Sequence, residues 1–310
     1  MVSGLSVFIL TSLLNMHGLA LSLHYEDPSR GMLFERMLQE IKDQGASDVS
    51  VVVQWSQSDI RSNMIAPHPK ESPTDETVRR VLRKAKALGL RVTVFPILWV
   101  EKRAMGEWRG TLAPGNPEAW WSAYRKYIMH YAHMASEEGA FALSVGSELA
   151  SMEAFRDRWV RLVKAVRPVF VGKLIYSANW DHYEAVSFWD QVDLAGLTGY
   201  YRLTEKKDAS VSELVESWSR IRTILLDWQG RLGKPFIFTE LGYPSLDGAA
   251  IDPWNYSADG EIDLEEQRRC FEAFFRVWSD TPALSGVFFW NWWGPGDGQN
   301  RWYTLKGKPA

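Results

Sequence analysis

Short β-branched and apolar runs alternate with longer stretches of helical periodicity from about residue 19 onward, the signature of βαβ units and a parallel sheet. Eight runs read as strands: Leu19 to Tyr25, Asp48 to Gln54, Arg91 to Ile97, Phe141 to Val145, Lys173 to Ser177, Asp193 to Thr198, Pro235 to Thr239 and Ser285 to Trp290. They are nearly continuous in apolar character, as expected of strands covered on both faces. Between them, Val78, Val81, Leu82, Ala85 and Leu88 mark one face of a helix that Thr74-Asp75-Glu76-Thr77 opens and Gly89 ends. Trp121, Tyr124, Ile128, Tyr131 and Ala135 keep helical spacing in the next such stretch, and Cys270, Phe271, Phe274, Phe275 and Trp278 do so in a late one. No Pro/Gly/Ser-rich linker, charge block or short repeat divides the chain.

A doubly wound sheet would carry a glycine-rich phosphate loop after its first strand, whereas the first run here ends in His24-Tyr25-Glu26-Asp27-Pro28. The pattern therefore predicts an α/β fold of the (β/α)8 TIM-barrel type, one domain over residues 18–310 preceded by an apolar segment over residues 1–17. Only about twenty residues follow the eighth run, too few for a strand-covering helix of full length, so an incomplete eighth helix is expected. The stretch before Gly18 is a candidate to cover that gap. Val2 to Leu23 is largely uncharged, and Gly18 and Ala20 are like the small residues of a signal cleavage region. No Lys or Arg precedes Arg30, however, and Asn15, Met16 and His17 interrupt the apolar run, so a cleaved signal is left open. No other segment reaches the roughly 18 apolar residues of a membrane span.

Composition narrows the chemistry. A net charge of −3 leaves no basic surplus for a phosphate backbone, so nucleic acid is not an expected partner. Sixteen Trp give the chain many flat rings of the kind that stack on the apolar faces of pyranoses, although most rings in such a chain fill the core. The lone Cys270 excludes an intrachain disulfide and a cysteine-rich metal site, and its apolar surroundings predict a buried, inert thiol. His130 and His133 stand at helical spacing without carboxylate partners and read as a partly buried surface pair. No His-x-His follows the first strand, and neither metal nor cofactor is implied.

Barrel enzymes place their chemistry at the C-terminal ends of the strands, and two glutamates stand there: Glu148 after the fourth run and Glu240 after the seventh. Strands four and seven face each other across a barrel mouth. One carboxylic acid to protonate a leaving oxygen and one carboxylate about 5 Å away to attack an anomeric carbon are what retaining glycoside cleavage needs. Either residue alone reads equally well as a rim carboxylate paired with Arg or Lys. Together they predict catalytic roles.

The chain resembles the β-mannanases of glycoside hydrolase family 113, over nearly its whole length from the second strand onward. The resemblance is carried by Val52-Val53-Gln54-Trp55, Pro73-Thr74-Asp75, Trp108-Arg109-Gly110, Val145-Gly146-Ser147-Glu148-Leu149, Ala178-Asn179-Trp180, Phe238-Thr239-Glu240-Leu241-Gly242-Tyr243 and Gly307-Lys308-Pro309-Ala310. It implies a retaining barrel glycosidase with Glu148 as general acid/base and Glu240 as nucleophile. The clan's residue before the acid/base is usually Asn, which contacts the sugar's 2-hydroxyl, and here it is Ser147. That departure bears on the sugar preference and leaves a hydroxyl-binding role to Asn179. By the same resemblance a Tyr after the sixth strand holds the nucleophile, with Tyr200 preferred to the equally placed Tyr201, and Trp290 floors the sugar subsite with Trp292 and Trp293 in the adjoining loop. Trp55, Trp99 and Trp180 end or follow other strands and are further platform candidates, and Arg109 and Asn179 are candidates to bond hydroxyls.

The expected substrate is a β-1,4-linked mannan or related polysaccharide or oligosaccharide, with an endo-β-1,4-mannanase as the leading reading. Another β-glycan, or a carbohydrate-binding barrel without catalysis, are the alternatives. A polymeric substrate points to a secreted or periplasmic protein, against which stands the uncharged N-terminus.

Overall fold

The computed structural model describes residues 15–23, 31–294, 296 and 298–310. Eight parallel strands close into a barrel in chain order: β1 (Met16–Ser22), β2 (Asp48–Gln57), β3 (Arg91–Val100), β4 (Ala142–Ser147), β5 (Lys173–Ala178), β6 (Leu194–Thr198), β7 (Phe236–Leu241) and β8 (Leu284–Phe289). The ring is sealed by β1 on β8, from Met16 against Gly286 to Leu19 against Phe289. This is the (β/α)8 barrel that the alternation of runs predicts. β1 begins at Met16, so the segment boundary expected after residue 17 falls inside the first strand. Residues 1–14 and the sequence His24 to Pro28 lie outside the described residues.

β2 and β3 run three residues past their expected ends, paired in unbroken register from Asp48 on Arg91 to Gln57 on Val100. Backbone pairing continues there because the polar side chains are satisfied. Ser56 donates to Glu101 at 2.6 Å, and Gln57 accepts the Trp120 indole N–H at 2.8 Å while donating to the Asp59 carbonyl.

The covering helices are α1 (Gly31–Asp43), α2 (Asp75–Ala87), α3 (Pro117–Glu137), α4 (Arg156–Val166), α5 (Val211–Leu232) and α6 (Leu264–Trp278). Their starts follow from local chemistry. Thr74, Asn116, Ser210 and Asp263 each accept a backbone N–H from the first turn, and Ser210 and Glu213 do so reciprocally. The strict alternation read from the sequence fails between β5 and β6, where two short 3-10 turns, Tyr183–Ala185 and Trp189–Gln191, replace a helix. They bury Tyr183, Phe188 and Trp189, so three rings cover the strands where a helix would have done so. Among the described residues no helix follows β8.

Inside the ring, Met16, Ala142, Ile175, Leu194, Ile237 and Phe288 form one apolar layer, and Ala20, Val52, Phe95 and Ile97 form another on which Trp290 rests. The barrel is thus a filled core with its mouth above the second layer. No helix among the described residues is long and apolar enough to cross a membrane.

Candidate active site

Along a strand successive side chains point to opposite faces, so the inner-layer residues fix which positions face the mouth. In β7, Ile237 is inner while Phe236 and Phe238 pack outward against the helices. Strict alternation from Phe238 would turn Glu240 outward. The β6–β7 register slips at this point: Leu197 pairs with Phe238, but Thr198 pairs with Glu240, one step on β6 against two on β7. The extra residue, Thr239, is held by its hydroxyl on the Leu197 carbonyl and on Ser177 Oγ. A bulge of this kind re-aims the following side chain, and Glu240 faces the site.

β4 has the matching irregularity, with Ser144 on Ile175 but Ser147 on Ser177. Immediately beyond it Glu148 has φ +55°, in the left-handed region that costs a non-glycine residue about 1–2 kcal/mol. Its backbone N–H is anchored on the Ser177 carbonyl at 2.7 Å. Both glutamates are buried, at 5% and 3% exposure.

Two other groups complete the centre. The Tyr200 hydroxyl donates to Glu240 Oε2 at 3.0 Å. Tyr201 turns outward onto Trp180 and Trp218. Arg109, on a single 3-10 turn after β3, reaches in and pairs with Glu148 Oε2. Burial pushes the Glu240 carboxyl up to about 8, and the neighbouring Glu148 charge adds to this, while Arg109 and the Tyr200 hydroxyl oppose it. Burial also works against the Arg109 charge, but Glu148 and then Glu240 outweigh it and raise that group. Near neutrality burial and the Glu148 charge thus favour the protonated form of Glu240 in the free site.

The aromatic candidates separate by strand parity. Trp99 shares its face of β3 with the inner Phe95 and Ile97, which puts it on the mouth side. Trp290 is half-buried on the inner layer. Trp55 shares its face of β2 with the outward Val51 and Val53 and stacks on Tyr127 of α3 at 5.2 Å. It packs the helix layer and does not reach the site. Trp292 is likewise a core residue: it is buried, and its indole N–H is donated to Glu40 of α1 at 2.9 Å. Trp180 is half-buried and stacks on Trp254 at 5.2 Å. Asn179 directs its amide N–H to Asp181 and its oxygen to Thr198. The Ser147 hydroxyl is buried and makes no hydrogen bond.

Strand-end reading misses residues supplied by the long loop after β7 and by the C-terminal segment. Trp254 lies in that loop, and so does Tyr256, which accepts a hydrogen bond from Arg103 of the β3 loop at 2.9 Å. Tyr303 lies edge-on to Tyr200. Aromatic content alone is the only signal that marks them. His130 bonds Asp75 at 2.9 Å and leans on Trp55, and no cluster of His, Cys, Asp or Glu able to hold a metal exists among the described residues.

The family model of Glycoside Hydrolase Family 113 matches residues 30–307. Among solved structures, the β-mannanase of that family from Alicyclobacillus acidocaldarius, in complex with ManMIm, is 26% identical with a TM-score of 0.86, covering 96% of this chain and 95% of that one. A β-1,4-mannanase of the same family is 24% identical with a TM-score of 0.82, covering 95% and 96%. A β-glucuronidase from Faecalibacterium prausnitzii shares the fold alone, at 14% identity and a TM-score of 0.64, over 94% of this chain and 46% of that one. No curated protein matches the sequence.

Proposed function

The chain belongs to glycoside hydrolase family 113, and from that premise we propose that it cleaves β-linked hexose polysaccharide with retention of configuration, as an endo-β-1,4-mannanase. The observation that carries this reading is the pair of buried glutamates, each re-aimed by a strand irregularity into one site that also holds Arg109 and Tyr200. Family-113 structures of β-mannanases support the choice of sugar. Residues 16–310 act as one barrel domain.

In the reaction, Glu240 attacks the anomeric carbon while Glu148 protonates the departing glycosidic oxygen, which leaves a glycosyl ester on Glu240. Water then enters, gives its proton to Glu148 and releases the sugar with its configuration retained. The Tyr200 hydroxyl orients Glu240 and stabilises its negative charge. In the free site Arg109 pairs with Glu148, and burial favours the protonated form of Glu240. For the reaction Glu148 must carry the proton and Glu240 the negative charge. Trp290 and Trp99 offer the apolar ring faces of the site, and Trp180 with Trp254 a stacked platform at its rim.

Glu148→Gln and Glu240→Gln should each abolish hydrolysis of mannooligosaccharides, assayed by product chromatography, with circular dichroism unchanged. Retained activity in the Glu240 variant contradicts the assignment. A different β-glycan is the second reading, favoured by the buried, unbonded Ser147 hydroxyl where the clan usually has Asn. A product screen across β-linked glycans distinguishes the two.

A further inference from the structure

One residue beyond Glu148 begins a buried hydrogen-bond chain that takes no part in bond cleavage. The Leu149 backbone N–H is donated to the Tyr176 hydroxyl oxygen at 3.1 Å. That hydroxyl donates its own proton to Glu153 Oε1 at 2.6 Å, and Glu153 Oε2 meets His182 Nδ1 at 2.5 Å. Tyr176 and Glu153 have no solvent exposure. The direction of the chain is fixed by the number of protons. A phenol has one, and with it committed to Glu153 a lone pair is left for Leu149.

The chain brackets a strained residue. Glu148 is left-handed, with its own N–H on the Ser177 carbonyl and the next N–H on Tyr176. A sparsely populated backbone conformation persists only where its surroundings over-determine it. The Tyr176 ring contributes from the other side as well, since a Cβ on Gly146 would come within 3.0 Å of it. Burying the Glu153 carboxyl opposes its ionisation, as does the nearby Glu148 charge, and Tyr176 and His182 offset this. Glu153 is the acceptor that commits the Tyr176 proton and leaves the phenol lone pair for Leu149.

We propose that Tyr176, clamped by Glu153 and His182, is a positioning residue that holds the acid/base Glu148 at the angle needed for proton transfer. The inference rests on the reading of Glu148 as acid/base. It touches no substrate atom and acts through the backbone at Leu149.

The test compares leaving groups. A sugar alcohol departs only when protonated, whereas 2,4-dinitrophenolate departs without help, so only the first depends on the placement of Glu148. With kcat/KM read on mannotetraose and on 2,4-dinitrophenyl β-mannobioside, Tyr176→Phe should lose about tenfold or more on the first and less than about twofold on the second. Glu153→Gln keeps an acceptor for the Tyr176 proton and should show the same imbalance at smaller size, less than in Glu153→Ala. Equal losses on both substrates, or none, in the Gln variant would overturn the proposal, whether or not Tyr176→Phe folds. Wild-type protein that cleaves neither these substrates nor any glycan of the product screen contradicts the reading of the glutamate pair and this inference with it.

Discussion

Glu240 is a carboxyl buried against its own ionisation, and its titration makes that measurable. Burial first, and the Glu148 charge second, raise its carboxyl from the ordinary 4.5 to about 8. Between those two values the folded protein holds a proton that the unfolded chain has released. Rising pH therefore favours unfolding over this window, and whatever stability the group contributes is complete below pH 4.5 and lost as pH passes about 8. Glu240→Gln removes the titration while keeping the volume. Its melting temperature should exceed that of the wild type by an amount that grows from pH 5 to pH 8, measured by calorimetry. A difference that stays flat or shrinks would show that the carboxyl is not held above its ordinary range. Cys270, buried against the outer core, is the opposite case of a titratable group with no chemistry to perform, as its apolar neighbours in the sequence suggest.

At the scale of elements, alternation explains both what the sequence shows and what it hides. Period-two parity alone separates Trp99, on the face of Phe95 and Ile97, from Trp55, on the face of Val51 and Val53. That signal is present in the sequence once an inner layer is known. The bulges in β4 and β7 break the same rule at the two glutamates, and they arise from tertiary pairing with β5 and β6, which no local pattern reports. Trp254 and Tyr256 escape for a related reason: they come from the loop after β7, and loops carry no periodicity. The seating of β4 gives a test at this scale. A methyl group at Gly146 would lie 2.7 Å from the Tyr124 hydroxyl, 3.0 Å from the Tyr176 ring and 3.1 Å from Trp159. Gly146→Ala should cost about 1–3 kcal/mol in urea unfolding. An unchanged midpoint would mean that the strand has room to shift, and that Glu148 is less firmly seated than its neighbours indicate.

For the molecule as a whole, the closed barrel is what the sequence predicts most directly, because eight apolar runs and their spacing are global features that survive errors at individual ends. The missing helix between β5 and β6 was not legible, since Tyr183, Phe188 and Trp189 cover the strands from 3-10 turns that have no helical period. The two glutamates were legible as strand-terminal carboxylates, and the raised titration of Glu240 was not, because it depends on burial and on the Glu148 charge, which Arg109 and Tyr200 oppose. The most direct measurement of the central claim is proton NMR of mannotetraose hydrolysis, which resolves the anomer formed first, before mutarotation. A β-anomer appearing first is the result expected of Glu148 and Glu240 acting through a glycosyl-enzyme intermediate. An α-anomer appearing first would contradict it.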